Sequence, residues 1–411
     1  MPQEPWMPSV ADARSSRADV RIAHLGLGHF HRAHQAWYTQ RANDVSGAAW
    51  DSGSWGIAAF TGRSPAAAEA LAAQDCVYTL ITRSAEGDSA QILQSIGEAH
   101  DGAGDDWERV VASPQVGILT VTVTERGYER DGEGRRDAGA ESAGARIVRG
   151  LAARARASAG PIALVSCDNL TGNGEALRLA VLREVREGAL ARWIVENVSF
   201  VSTMVDRITP HTTDADRAIA RELTGYDDAV PVVAEPFSEW VVSGEFPAGR
   251  PPWHKVGVRF VADIEPYERR KLWLLNAGHS LLTSVGLAHG HETIAESYAD
   301  AECRELLEEQ WSEARPFLAL PDDETDAFLA ALRTRLANPR IAHRLAQIDD
   351  GSLQKLRLRQ AAIIATRLDA GDEPGRACLA AVDAWGQARG LDLAEALDVL
   401  QPGLARRVYL R

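Results

Sequence analysis

Residues 20–32 read VRIAHLGLGHFHR, and the organisation of the first half of the chain follows from them. Val20–Leu25 is an apolar run of strand length that leads into the turn Gly26-Leu27-Gly28. A helix is predicted to follow over about residues 31–41. Gly26 would allow the tight turn and Gly28 would let the backbone approach a pyrophosphate, as in a dinucleotide-binding unit.

The turn departs from the full dinucleotide fingerprint, because His31 stands where a third glycine is usual. A glycine pair of this kind also occurs in many tight strand-to-helix turns, so a purely structural role stays open. His31 and Arg32 lie in the first helical turn, where the helix dipole disfavours positive charge. A bound anion would remove this conflict, which favours nucleotide binding.

The first half alternates apolar runs with helical stretches, which predicts a parallel sheet covered on both faces. The predicted strands are Val20–Leu25, Trp55–Phe60, Cys76–Thr82, Val116–Val123, Pro161–Ser166 and Val198–Met204. From Glu265 onward the pattern is helical almost to the end, beginning with a helix over 266–287. We therefore predict an α/β fold with a disordered lead-in over 1–18, a Rossmann-type parallel-sheet domain over 19–224 and a mainly α-helical domain over 225–411.

The composition is that of a globular protein, with 411 residues of which 45% are hydrophobic and 25% charged. No stretch approaches the roughly 18 uninterrupted apolar residues of a membrane span, and the N-terminus lacks a signal-peptide core, so a cytoplasmic location is predicted. The net charge of −14 argues against nucleic acid as a partner. The expected partner is a small molecule, and the chain would be a monomer or a small homo-oligomer.

No metal site is predicted. The four cysteines are far apart and form no CxxC pair, so buried thiols are expected. The histidine-rich segment 24–34 lacks a nearby Asp, Glu or Cys, which argues against zinc there. Farther on, His289-Gly290-His291-Glu292 does not extend to the HExxH metal motif, because Ala295 occupies the second histidine position.

Lysine occurs only at Lys255, Lys271 and Lys355, in a chain whose other basic residues are arginines and histidines. Lys271 opens the segment KLWLLNAGH, whose bulky apolar residues leave little room for exposure. At about 100° per residue, Asn276 and His279 lie about 140° and 80° around a helix from Lys271, on one broad face. A desolvated lysine can lose its proton near neutral pH and act as a general base. A polar helix face in water is the plain alternative.

Polar clusters follow three of the predicted strands at the point where each strand ends. They are TERGY at 124–128, SCDNL at 166–170 and MVDRITP at 204–210. Ligands of open α/β sheets bind at the carboxyl ends of the strands, so we expect these three clusters to border one crevice. For each cluster considered alone, an Asx turn without a binding function is the structural alternative.

The motifs of this chain resemble, in order, those of a known enzyme family. They are GLGHFHRAH at 26–34, TERGY, SCDNL, MVDRITP, EPFSEW at 235–240 and KLWLLNAGHS at 271–280. From about Val20 to Lys355 the sequence resembles the polyol-specific long-chain dehydrogenases, which include mannitol 2-dehydrogenase and fructuronate reductase. The resemblance implies a Rossmann-type domain followed by a helical domain, and chemistry that needs no metal.

The resemblance also implies a role for each matching residue. Lys271 would be the general base, Asn169 and Asn276 would hold the substrate oxygen, and His279 would orient the substrate. Substrate binding would also involve Asp206, Arg207, His343, Arg344 and Lys355. The cofactor would be bound by Gly26, Gly28, Phe30, His31, Arg32, Arg63 and Glu125. A neutral lysine would take the hydroxyl proton as hydride leaves for a nicotinamide, and two amide donors would stabilise the alkoxide.

The sequence leaves the choice of substrate and cofactor open. Residues 338–348 (NPRIAHRLAQI) resemble the fructuronate-reductase branch, and Arg344 could pair with a carboxylate, which favours a 2-keto hexuronate such as D-fructuronate, with D-mannonate as its partner. D-fructose and D-mannitol are close behind, a hexitol phosphate is a third alternative, and a non-catalytic nucleotide or sugar sensor is a remote one. NAD is expected from the family, although Arg63 could meet the 2′-phosphate of NADP.

Overall fold

A computed structural model describes residues 7–47, 53–62, 64–123, 141–341 and 343–409. The chain divides into two compact units, Met1–Ile264 and Glu265–Arg411, which we call the N-terminal unit and the C-terminal unit. All four cysteines are buried free thiols, as expected. None of the described helices combines the length and the apolar character that crossing a membrane requires.

The N-terminal unit contains strands and helices that alternate over much of its length. Its strands are β1 (Val20–Leu25), β2 (Gly56–Phe60), β3 (Tyr78–Arg83), β4 (Asp88–Leu93), β5 (Ile96–His100), β6 (Ile118–Val121), β7 (Ile162–Ser166), β8 (Val198–Asp206), β9 (Val232–Ala234), β10 (Glu239–Ser243) and β11 (Arg259–Phe260). Its α-helices are α1 (His29–Ala33), α2 (Gln35–Val45), α3 (Ala66–Ala72), α4 (Asp106–Val111), α5 (Ala143–Arg156), α6 (Asn173–Glu184), α7 (Ala189–Asn197) and α8 (Asp214–Thr224). Short 3₁₀ turns cover Val10–Ala13 and Trp253–Val256.

The described residues of this unit form a main sheet of eight strands in the order β11-β10-β8-β7-β6-β1-β2-β5. The strands from β8 to β5 run parallel, and β10 pairs antiparallel with β8. From β1 the chain extends the sheet one way through β2 and β5, and then the other way from β6 to β8. This reversal next to β1 is the switch point of a Rossmann-type sheet, so the predicted fold class is confirmed.

Helices cover both faces of the main sheet, which explains why its central strands are continuous apolar runs. Successive residues of β1 contribute to two different cores, because side chains alternate across a strand. Ile22 belongs to the core that includes Tyr38 of α2, whereas Ala23 belongs to the core that includes Leu151 of α5. Burial of a side chain of the size of Ile22 or Leu151 contributes roughly 1.5–3 kcal/mol.

The third predicted strand does not join the main sheet. Instead, β3 pairs with β4 and β9 in a separate three-stranded sheet of the described chain. The buried carboxylate of Asp228, just before β9, accepts hydrogen bonds from the Thr79 backbone N–H (2.6 Å) and from the Gln74 amide (2.8 Å). These long-range bonds anchor β3 beside β9, and strand propensity does not encode them.

The N-terminal residues from 7 to 18 are ordered, so the prediction of a disordered lead-in over 1–18 is wrong for them; residues 1–6 lie outside the described residues. Val10 is fully buried, and its N–H donates to the carbonyl oxygen of Asp227 at 2.9 Å. Arg14 forms an ion pair with Asp75 and donates to the Ile96 carbonyl at 3.1 Å. A polar segment is held here because its donors satisfy distant backbone carbonyls.

The division after Ile264 differs from the predicted domain boundary after residue 224. The segment that follows α8 contributes β9 to the small sheet and β10 and β11 to the main sheet. Hydrogen bonds to strands much earlier in the chain therefore hold residues 232–260 in the N-terminal unit. Local sequence patterns do not reveal such bonds.

The described residues of the C-terminal unit form helices joined by short non-helical segments. Its α-helices are α9 (Glu265–Arg270), α10 (Ala277–Ala288), α11 (Ile294–Ala299), α12 (Ala301–Ala314), α13 (Asp322–Leu336), α14 (Leu345–Asp349), α15 (Ser352–Leu356), α16 (Ala362–Ala370), α17 (Arg376–Gln387), α18 (Leu393–Leu400) and α19 (Leu404–Tyr409). Two π-helices cover Lys271–Asn276 and Arg357–Ala361, and a 3₁₀ turn covers Arg315–Phe317. The central helix α10 packs against α11, α12, α14 and α17, which buries every residue from Ala277 to Gly286.

Candidate active site

Of the two glycines in the turn after β1, only Gly26 is required by the protein's own packing. Gly26 has φ +112°, and a Cβ added there would lie 2.0 Å from the Thr122 carbonyl oxygen. A Cβ on Gly28 would meet only the Gly26 carbonyl oxygen, at an ordinary 3.6 Å. Close packing therefore explains Gly26, while the small size of Gly28 leaves room for a ligand to approach the backbone.

The predicted helix over about 31–41 is broken at His34 (φ −124°, ψ −82°), which separates α1 from α2. His31 is fully buried in α1, and its ring stacks on that of His24 with 3.3 Å between the ring centroids. Burial is the main cause that holds the pKa of His31 well below its usual value. His31 is therefore neutral near pH 7, and the expected conflict between its charge and the helix dipole does not arise.

Arg32, also predicted to bind the cofactor, has a structural partner. Its guanidinium donates to the Val230 carbonyl and lies near the ring of Tyr78. The Tyr78 hydroxyl in turn donates to the Arg32 carbonyl at 2.7 Å. These contacts tie α1 to the small sheet, and a role for Arg32 in cofactor binding stays a prediction.

The buried histidine pair predicts that the protein loses stability in mild acid. Burial lowers the pKa of His24 to about 3 and that of His31 well below its usual value, whereas both titrate near about 6.5 once unfolded. Between these pKa values the unfolded chain binds more protons, so this stability is complete above pH 6.5 and is lost as the pH falls. Each histidine should remove roughly 1.4 kcal/mol per pH unit below 6.5.

This loss can be measured from urea unfolding between pH 7.5 and 5.5. His31→Asn should make the decline with pH shallower than in the wild type, because one buried imidazole is removed. His254→Asn, at an exposed position of the same unit, should leave the decline unchanged. Equal declines in wild type and His31→Asn would contradict the assignment.

The structure adds little about the positions of three further residues that were predicted to bind the cofactor. Arg63 and Glu125 lie outside the described residues, as does the whole TERGY segment at 124–128. Phe30 is half-buried in α1 and stacks on His34, with 4.9 Å between ring centroids. Their roles in cofactor binding stay predictions.

The turn after β7 carries Asn169 at an exposed position beside the buried Asp168. A residue that sequence reasoning missed holds this turn in place: Asn173, which is fully buried at the start of α6. Its amide donates to the carbonyls of Asp168 (2.9 Å) and Thr203 (2.7 Å), and its own carbonyl accepts from the Thr203 N–H (3.0 Å). The hydrogen bonds of Asn173 thus hold the SCDNL turn against the neighbouring strand β8.

The end of β8 carries Asp206 and Arg207, both buried. Because β7 and β8 are parallel neighbours, the SCDNL and MVDRITP segments follow adjacent strands at one edge of the sheet, as predicted for these two of the three clusters. Arg207 donates to the carbonyls of Ala33 and Glu235, and its guanidinium lies 4.4 Å from the ring centroid of Trp37. Arg207 therefore braces the end of β8 against α1, and its predicted contact with substrate stays a prediction.

In the C-terminal unit, Lys271 begins a π-helix that ends at Asn276. The Ala277 N–H donates to the Leu272 carbonyl, five residues back, as the wider π-turn requires. In an α-helix, residues five apart would point about 140° away from each other. The π-turn instead places Lys271 and Asn276 one turn apart on the same side, and His279 follows in the next turn. The sequence predicted that Lys271, Asn276 and His279 share one broad helix face. The π-helix reduces the angle around the helix axis over which these three side chains are spread.

The π-helix is held by side chains that sequence reasoning did not single out. Trp311 donates to the Leu274 carbonyl at 2.9 Å, and Gln360 donates to the Ala277 carbonyl at 2.8 Å. Arg359 donates to the Asn276 carbonyl at 2.9 Å. Gln360 and Arg359 belong to the second π-helix, so the two irregular turns stabilise each other.

Lys271 is buried, with 9% of its surface exposed, and so is His279. The ring of His279 meets the ring of His343 edge to face, with 5.0 Å between the centroids. Burial is the main cause that holds the pKa of His279 well below its usual value, so this imidazole is neutral near pH 7. Nearby groups that carry or can carry positive charge add to the effect: His343, Arg335 and Arg359.

Lys355 belongs to the same cationic group, since its charge helps to lower the pKa of His343. Its ammonium donates to the carbonyls of Ile348 (2.7 Å) and Asp350 (2.6 Å), which gives it a structural partner at the end of α14. Arg344 is exposed just before α14. Arg335 and Arg359 therefore lie near the neutral ring of His279, whereas Lys355 lies near His343 and close to the carboxylates of Asp349 and Asp350.

The candidate site residues of the two units differ in kind. The N-terminal unit offers a glycine turn at a sheet switch point and an amide on the turn after β7. The C-terminal unit offers a buried amine, an amide and a neutral imidazole along one helix. An amine that accepts a proton and amides that donate hydrogen bonds can together stabilise an alkoxide during oxidation of an alcohol.

The Rossmann-type sheet and the relatives given below make the protein an oxidoreductase of the two-domain dehydrogenase class. Family comparison places it more narrowly. Residues 20–255 match the mannitol dehydrogenase Rossmann domain, and residues 263–386 match the mannitol dehydrogenase C-terminal domain. The chain belongs to the mannitol dehydrogenase family, so the predicted family is confirmed and the remote alternative of a non-catalytic sensor is wrong.

The individual relatives are named after different substrates. The chain is 35% identical over 417 residues to D-mannonate oxidoreductase of Escherichia coli (strain K12), which covers 95% of this chain and 84% of the relative. It is 34% identical over 356 residues to mannitol 2-dehydrogenase of Aspergillus fumigatus, covering 80% and 70% respectively. The solved ternary complex of Pseudomonas fluorescens mannitol 2-dehydrogenase with NAD and D-mannitol has a TM-score of 0.76 and 32% identity, covering 91% and 79%.

Proposed function

We propose that the protein is an NAD-dependent oxidoreductase that interconverts a 2-keto hexuronate and the corresponding aldonate, D-fructuronate and D-mannonate. The observation that carries this proposal is the set of three cations near His279 and its ring partner His343: Arg335, Lys355 and Arg359. A substrate that ends in a carboxylate would be attracted by this charge, whereas a neutral polyol would gain little from it. The 35% identity to a D-mannonate oxidoreductase supports the same choice.

NAD fits the residues of the N-terminal unit. Gly26 forms the tight turn at the switch point, and Gly28 leaves its backbone open to a ligand. The similar solved structure is a complex with NAD. When bound, NAD supplies the acceptor for the hydride that leaves the substrate carbon.

The side chains of this chain perform the proton transfer and the charge stabilisation. Neutral Lys271 accepts the proton of the substrate hydroxyl, and the amides of Asn169 and Asn276 donate hydrogen bonds to the developing alkoxide. His279 orients the substrate by a hydrogen bond. Because its imidazole is neutral and hard to protonate near pH 7, it does not compete with Lys271 for the proton of the substrate hydroxyl. In the reductive direction, protonated Lys271 donates to the ketone oxygen.

Arg344 provides the test of substrate class. Arg344→Gln should raise the KM for fructuronate roughly 10–100-fold, because a charge-assisted hydrogen bond contributes roughly 1.5–3 kcal/mol. The KM for fructose should stay within about twofold, since fructose has no carboxylate. Rates are followed by NADH absorbance with each keto sugar in turn.

Arg406→Gln, at an exposed position of the same unit, is the matched control and should change neither KM. The principal alternative is a mannitol 2-dehydrogenase, which the relatives of that name support. A wild-type kcat/KM far higher for fructose than for fructuronate would establish that alternative and reject the proposal.

A further inference from the structure

Four side chains of metal-ligand type meet where α10 ends and α12 begins. They are His289, His291, Asp300 and Cys303, and their ligand atoms all lie within 4.8 Å of one another. The sequence showed only a histidine pair without a complete motif, because Asp300 and Cys303 come from the next long helix. Cys303 is fully buried at the base of the cluster, and the other three side chains are about one quarter exposed.

The distances within the cluster suit a tetrahedral metal ion. The Asp300 Oδ2 atom lies 3.2 Å from His289 Nδ1 and 3.1 Å from His291 Nε2, and Cys303 Sγ lies 3.9 Å from His289 Nδ1. A tetrahedral zinc ion with bonds of 2.0–2.3 Å separates its ligand atoms by about 3.3–3.6 Å. These three separations lie within a few tenths of an ångström of the tetrahedral values, and no two of the four ligand atoms are more than 4.8 Å apart.

Capping of α12 does not account for the cluster. Asp300 uses its other oxygen, Oδ1, to accept from the N–H groups of Glu302 (2.8 Å) and Cys303 (3.1 Å). Its Oδ2 atom remains directed at two imidazoles, with a thiol beside them. In addition, the Glu302 carboxylate lies 3.9 Å from His289 Nε2, where an outer carboxylate would orient a metal-bound imidazole.

We propose that these four side chains bind one divalent transition-metal ion of the Zn²⁺ type. Imidazoles and a thiolate select zinc-like ions over Mg²⁺ and Ca²⁺, which prefer oxygen ligands. The Cys303 thiol must lose its proton when the ion binds, because the thiolate is the form that coordinates a metal.

The ion would have a structural role and not a catalytic one. His289 follows His279 by ten residues of helix, which corresponds to about 15 Å. The loop that carries His291 pairs with the segment of the predicted substrate residues: Ile294 N–H donates to the His343 carbonyl at 3.0 Å, and Leu345 N–H donates to the Glu292 carbonyl at 2.9 Å. A metal ion at one end of this loop would brace the backbone of His343 and Arg344 at the other.

Metal binding to the full chain tests the proposal directly. After treatment with a chelator and its removal, Zn²⁺ should bind at one equivalent and raise Tm by roughly 3 °C at a hundredfold excess over Kd. Co²⁺ should bind at the same site and give a thiolate-to-cobalt charge-transfer band. That band should be lost in Cys303→Ser and kept in Cys378→Ser, a matched loss of a fully buried thiol in the same unit.

A second variant covers the case in which Cys303→Ser fails to fold. His291→Ala removes a partly exposed ligand and should lower Zn²⁺ affinity at least tenfold, whereas His254→Ala, at an exposed position in the N-terminal unit, should not. Zinc removal should raise the KM of the sugar substrate more than that of NADH. The proposal is overturned if Zn²⁺ does not bind, or if Cys303→Ser and His291→Ala bind it as the wild type does. These binding measurements do not depend on which sugar the enzyme uses.

Discussion

Lys271→Ala is expected to lower kcat by a factor of about 10²–10⁴ or more, while NADH still binds. The reason is that Lys271 is the buried amine on the helix face that also carries Asn276 and His279. His279 cannot replace it as an equivalent base, because burial holds the pKa of that imidazole well below its usual value. The measurement is kcat for both directions, together with NADH binding by fluorescence titration.

Lys271→Arg should not restore activity, because a guanidinium stays protonated and cannot accept a proton. Lys255→Ala removes an exposed lysine from the N-terminal unit and should retain wild-type activity. The rate of alcohol oxidation by the wild type should rise with pH through one ionisation that Lys271→Ala lacks. If the Lys271→Ala variant folds and keeps most of its activity, the assigned mechanism is wrong. The family membership would then support the fold but not the role of Lys271.

Asn169→Ala and Asn276→Ala are each expected to cost roughly 2.7–4 kcal/mol of transition-state stabilisation, which is about 10²–10³ in kcat. Each loses an amide that would donate to the alkoxide. At Asn276 the backbone carbonyl would still accept from Arg359, so the π-helix should survive the substitution. Unchanged circular dichroism and Tm would show that the loss of rate is chemical.

Asn197→Ala is the control for loss of an amide, because Asn197 donates to the Trp193 carbonyl within α7, away from the carboxyl ends of β7 and β8. It should leave kcat within about twofold. A rise in KM with unchanged kcat in the Asn169 or Asn276 variant would mean that the amide binds ground state and transition state equally. That result would contradict the proposal that this amide stabilises the alkoxide.

Much of the fold can be predicted from short stretches of the sequence. The apolar runs of β1, β2, β6, β7 and β8 and the glycine turn at Gly26 are local signals, because strand burial and a positive φ depend on nearby residue types. The helical pattern after Glu265 is local in the same sense. The chemical identity of Lys271, with Asn276 and His279 at fixed spacings, is likewise contained in one short segment of the chain.

Long-range contacts set the remaining features. Residues 7–18 are ordered because of distant carbonyls, and β3 lies in the small sheet because of β9 and Asp228. The predicted boundary at 224 failed for the same reason, since β10 pairs with β8. None of these partners is close in sequence, so propensity and periodicity contain no information about them.

The same division holds within the site. The sequence determined which proton acceptor and amide donors are present, because these are properties of single side chains. Tertiary packing determined their states and directions: His31 and His279 are neutral because they are buried, and Lys271 and Asn276 share one side because Trp311, Arg359 and Gln360 hold a π-turn. Desolvation and the satisfaction of backbone carbonyls arise only when distant helices meet, which is why the order of residues does not reveal them.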